Sequence, residues 1–87
     1  MKRKKQAAAV NGKEIFVREF NERLAIMEGL IKHGVSAYHA ASEFRAYMRG
    51  VNSALFWGRV YRLDVFDQHD KKIDEAVEFA KLNPSDF

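Results

Sequence analysis

Four arginines stand in two pairs whose spacing suits chemistry with a polyanion. Arg45 and Arg49 are four apart, and Arg59 and Arg62 are three apart. On a helix each pair shares a face. A guanidinium is always charged and offers forked donors that match phosphate oxygens. Tyr47, Trp57 and Tyr61 lie among these arginines, and aromatic faces stack on unpaired bases. A cluster at the start, Lys2, Arg3, Lys4 and Lys5, adds phosphate-seeking charge. Asn52 and Ser53 are short polar residues placed to touch base edges. The bland use of the same residues is arginines solvated on helices or paired in cis, and aromatics in a core.

Charge divides along the chain in the same sense. The first 63 residues carry 12 Lys+Arg and 5 Asp+Glu, while the last 24 carry 3 and 7. A basic front with interleaved aromatics followed by an acidic end suggests a surface that meets a polyanion.

Residues for catalysis are sparse. His39 and Glu43 share a helical face, yet no second cluster completes a metal site. His33 suits a helix C-terminus, and His69, between Gln68 and Asp70, reads as a solvated loop residue. There is no cysteine, hence no thiolate ligand or nucleophile. Phosphate-binding glycine loops and the nucleophile-elbow pattern are absent from the sequence. The expectation is a protein that is not an enzyme and needs no cofactor or metal.

The elements that must position these residues read as helices. At 87 residues with 47% hydrophobic content, the chain fits one small domain. No apolar run approaches the roughly 20 residues of a membrane span, and the apolar patch after Lys5 is too short for a secretory signal; the expected compartment is the cytoplasm. Residues 1–12 read as a basic arm, and residues 13–87 as a helical domain. Asn11-Gly12 is a turn pair that could alternatively close a hairpin between Ala7–Val10 and Lys13–Val17. From Lys13 to His33, Phe16, Phe20, Leu24, Met27 and Ile31 form one apolar stripe, with Gly34 as its stop. Ser36 caps a second helix to about Arg49, ended by Gly50. Asn52 or Ser53 caps a third helix to about Leu63, in which Leu55, Phe56, Val60 and Leu63 form one face. Asp64–His69 is a connector, and a fourth helix begins at Asp67 or Asp70 and stops at Asn83-Pro84.

The fold class expected is therefore all-α, a single small domain of three to four helices with a basic N-terminal arm. Val51–Leu55 resembles the start of a recognition helix in a helix-turn-helix. Gly50, however, falls nine residues after Ala41, too far for that motif's tight turn. The function expected is a small nucleic-acid-binding accessory or regulatory protein, dimeric, using Lys2–Lys5, Arg45, Arg49, Arg59 and Arg62 on phosphates and Asn52 and Ser53 on bases. The alternative is a protein-interaction module, adaptor or inhibitor, whose basic and aromatic face, with Trp57 and Tyr61, docks on an acidic partner. No membrane partner and no small-molecule substrate are expected.

Overall fold

The computed structural model describes residues 11–86, all-helical with no strand among them. Three helices, α1 (Gly12–Lys32), α2 (Ala37–Trp57) and α3 (Leu63–Leu82), are followed by a 3₁₀ turn at Pro84–Asp86. The Lys2–Lys5 cluster and the Ala7–Val10 half of the alternative hairpin lie outside the described residues. The other half, Lys13–Val17, is the first turn of α1 and not a strand.

Asn11 starts α1 by offering its side-chain oxygen to the backbone N–H groups of Lys13 and Glu14, at 3.0 and 3.3 Å. Two donors that a helix start leaves unpaired are thereby satisfied. Phe16, Phe20 and Met27 are buried along the inward stripe, with Leu24, Leu30 and Ile31 packed beside them. The helix closes on a Schellman motif. Gly34, at φ 100°, takes the left-handed position. Its N–H donates to the Ile31 carbonyl at 3.1 Å, and the Val35 N–H to that of Leu30 at 2.9 Å. His33 adds a 2.7 Å bond from its Nδ1 to the Gly29 carbonyl.

Helix α2 corrects the sequence reading. It runs unbroken through Gly50, so the expected second and third helices are one. The reason is periodicity. Ala41, Phe44, Met48, Asn52 and Leu55 continue one stripe at spacings of three and four, and Gly50 falls on the exposed side. A glycine off the packed face costs only about 1 kcal/mol in propensity and cannot end a helix that packing holds. Asn52 is thus an interior residue of α2, not a cap.

Helix α3 also begins earlier than expected. Asp64–His69 is helical, because Phe66, His69 and Ile73 start its inward stripe and Val77 and Ala80 continue it. Asn83 caps its end as expected, with its backbone N–H and side-chain Nδ2 both donating to the Phe79 carbonyl. Helix α2 packs on both α1 and α3. Ala40, Ala41 and Ala80 are buried and permit close approach, while Phe16, Phe20, Phe44, Met48 and Ile73 fill the centre. No described helix is long and apolar enough to cross a membrane.

Candidate docking site at the α2–α3 turn

The link between α2 and α3 is built like the end of α1, with one substitution of role. Arg59 N–H donates to the Phe56 carbonyl and Val60 N–H to that of Leu55, both at 2.9 Å, the two bonds of a Schellman closure. The left-handed position is held by Arg59, at φ 61°, the sole positive-φ non-glycine residue among those described. Gly58 stands one position too early, at φ −77°. A side chain in this conformation costs roughly 1–2 kcal/mol that glycine avoids.

Around that turn lies an open recess lined by Phe56, Trp57, Arg59, Val60, Tyr61 and Arg62. Trp57 ends α2 and is 78% exposed, the most exposed large hydrophobic side chain among the described residues. Leu63 (57%) and Val60 add to the apolar surface. Trp57 rests edge-on against Phe56, ring centres 5.3 Å apart, which limits its freedom before any partner arrives. Arg59 and Arg62 are exposed and make no ion pair among the described residues. They do not share a helical face, since both lie outside α2, with Arg62 as the residue preceding α3.

Behind the recess is a buried polar core. Tyr61 is 9% exposed and donates its hydroxyl to Asn52 Oδ1. Asn52, fully buried, donates Nδ2 to the Phe66 carbonyl at 3.0 Å. One asparagine therefore ties α2 to the turn and to α3. Burial pushes the Tyr61 hydroxyl up to about 12. The turn also seats on α1: a methyl group added to Gly12 would run into Val60 Cγ1 and come within 3.0 Å of Tyr61 Cδ2. Tyr61 thus holds the site from inside. Asn52 has no surface for a base, and Ser53 is half-buried on α2.

His69 belongs to this core and not to a solvated loop. Its ring stacks on Phe16 with centres 3.7 Å apart and planes within 5°. It meets Tyr61 edge-on at 4.9 Å. Burial, then the charges of Lys72 and Lys13, push its pKa below the usual histidine value. The spacing Phe66–His69–Ile73 was the available sequence signal.

The other arginines are engaged elsewhere. Arg45 Nη2 meets Asp74 Oδ1 at 3.3 Å, and Arg49 Nε meets Asp70 Oδ1 at 3.4 Å. The basic α2 and the acidic α3 thus face one another within the fold. Tyr47 donates to Glu19 Oε1 at 2.8 Å under the Arg23 guanidinium, 3.6 Å from the ring centre, so it joins α2 to α1. His39 and Glu43 pair at 3.0 Å on the exposed side of α2. Among the described residues no group of three His, Asp or Glu side chains is placed to hold a metal ion. Comparison with protein-family models, with curated proteins and with solved structures finds no match to this chain.

Proposed function

We propose that this protein is an interaction module that docks, through Trp57, Arg59 and Arg62, on an acidic partner segment carrying an apolar anchor. The observation that carries the reading is Arg59 in a left-handed turn beside a 78% exposed tryptophan. Backbone strain at an exposed site, where glycine would fold more cheaply, suggests that the side chain is kept for use. Trp and Arg are also the residues in which binding energy concentrates. Charge complementarity supports an acidic partner. Two unpaired guanidiniums beside apolar surface favour carboxylates next to Leu, Phe or Trp.

Nucleic acid is the rival. Of its expected contacts, Arg45 and Arg49 are ion-paired and Asn52 is buried. Apart from Lys2–Lys5, the chain carries 11 basic and 12 acidic residues, so the remainder offers no net attraction to a polyanion.

The test is selection of random displayed peptides on the whole protein, with counter-selection on Trp57→Ala and on Arg59→Ala/Arg62→Ala. Enrichment of acidic peptides with an aromatic or leucine anchor, lost on both variants, supports the reading. No variant-sensitive enrichment overturns it. Tighter binding of single-stranded or duplex DNA with a steep salt slope overturns it in favour of nucleic acid.

A further inference from the structure

The docking turn is held by few groups, and one of them is a histidine that can change charge as the pH falls. The His69 ring is clasped between the Phe16 face on α1 and the Tyr61 edge in the turn. Its Nδ1 is buried with no hydrogen-bond partner. Neutral imidazole tolerates this, since an unprotonated ring nitrogen there carries no hydrogen to place. Protonation adds an N–H at buried Nδ1 that has no acceptor, and a charge on a ring that is half-buried.

The charged groups nearest the ring oppose that charge, and the Phe16 face offers only a weak cation–π attraction in return. Lys13 approaches from α1 and Lys72 from α3 itself, both positive. From the turn comes Tyr61, a neutral phenol whose proton is already given to Asn52 Oδ1 on α2. The adjacent carboxylate, Asp70, is engaged by Arg49 of α2. No element packed on His69 therefore presents a free anion to an imidazolium.

We propose that protonation of His69 uncouples the Gly58–Arg62 turn from α1 and so switches off the Trp57 docking end. This rests on the docking reading for its purpose, though not for its physics. The route is short. Tyr61 touches His69 on one side and Asn52 on the other, and Val60 next to it seats on Gly12. Expelling the charged ring toward water removes the surface on which Tyr61 rests, and Arg59, already strained, loses the bonds that hold it left-handed. The sign follows from the same chemistry. A histidine whose folded pKa is depressed contributes full stability above its unfolded value of about 6.5, and that contribution is lost as pH falls toward the folded value.

The experiment uses the free protein, so it reads the latch whether or not a docking partner is found. The His69 ring C–H shift is followed by NMR between about pH 5 and 7.5, above the range near 4 where carboxylates generally titrate. Quenching of the single tryptophan, Trp57, and the melting temperature are followed over the same range. The expected result is one midpoint below about 6.5 shared by the His69 shift, Trp57 quenching and a fall in Tm of about 4 °C or more. In His69→Gln the Trp57 step is lost. Should that variant not fold, His33→Gln/His39→Gln leaves His69 as the sole histidine and must keep the step. A His69 titration that leaves Trp57 and Tm unmoved overturns the latch. So does a step that survives His69→Gln or disappears in His33→Gln/His39→Gln. A latch that behaves as expected, alongside a failed peptide selection, would fault the docking reading alone.

Discussion

Replacing Arg59 separates what its backbone costs from what its side chain does. At φ 61° an L-residue carries a penalty of about 1–2 kcal/mol. Glycine escapes it but gives back about 0.5–1 kcal/mol through the greater freedom of its unfolded chain. Arg59→Gly should therefore stabilise the protein by up to about 1.5 kcal/mol and by about 0.75 kcal/mol at mid-range, the latter about 3–6 °C in Tm for a domain of this size. Arg59→Ala keeps the left-handed cost and loses only an exposed, unpaired side chain, so its stability should stay within about 0.5 kcal/mol of wild type. Both variants should weaken acidic-peptide binding by about fivefold or more, as loss of an arginine anchor does. Thermal and urea melts of the three proteins, with peptide titrations at fixed salt, make the comparison. If Arg59→Gly is no more stable than Arg59→Ala, residue 59 is not held left-handed and the strain argument fails. If Arg59→Ala binds as wild type does, the strain has no partner to explain it.

Three further outcomes follow from the core and from the charged face. Asn52→Ala removes the Oδ1 acceptor of the Tyr61 hydroxyl, leaving it only the residue-52 backbone carbonyl at 3.5 Å, and takes the Nδ2 donor from the Phe66 carbonyl; it should cost about 2–4 kcal/mol. A cycle with Tyr61→Phe should deviate from additivity by at least about 0.5 kcal/mol in chemical melts, whereas additive losses would mean that the two do not interact. Because the Tyr61 hydroxyl is pushed up to about 12, its contribution is complete below about pH 10 and lost as pH rises through about 12; phenolate absorbance should show one late-ionising tyrosine that Tyr61→Phe removes. Asp70→Asn with Asp74→Asn frees Arg49 and Arg45 at a cost of about 1 kcal/mol or less, since these pairs are half-exposed; filter binding at low salt should then show a gain in non-specific duplex DNA affinity.

Where apolar spacing was continuous, the elements were legible from the residues. The Phe16–Ile31 stripe, the Gly34 stop and the Asn83-Pro84 stop all identified real helix features. Gly50 misled because it carries the usual mark of a helix end, and because Asn52, polar and near it, looked like a new cap. The inward stripe ran through Asn52, and a polar residue on a packed face is invisible to a reading that counts only apolar ones. His69 was missed for the same reason. Trp57 was legible as a candidate, but its exposure depends on where α2 ends. That in turn depends on the Leu55–Val60 closure, which residue types with arginine in the glycine position do not announce. The partnership of Arg45 and Arg49 with Asp74 and Asp70 needed the crossing of α2 and α3, which periodicity does not set.

The stacking of His69 on Phe16 brings the first helix to the third, whereas most of the bundle is made of neighbours in sequence. Helical hairpins of neighbouring segments close quickly, because little chain entropy is lost in bringing them together. The α1–α2 and α2–α3 pairs can each form on such local terms. The end bearing Trp57 is different, since Tyr61 finds its full seat only when Gly12 and Phe16 have come back across the intervening chain. It should therefore form late in folding and open more readily than the middle of α2. Amide exchange at residues 58–62 should be faster than in the middle of α2, reporting partial opening in which the rest of the bundle stays closed.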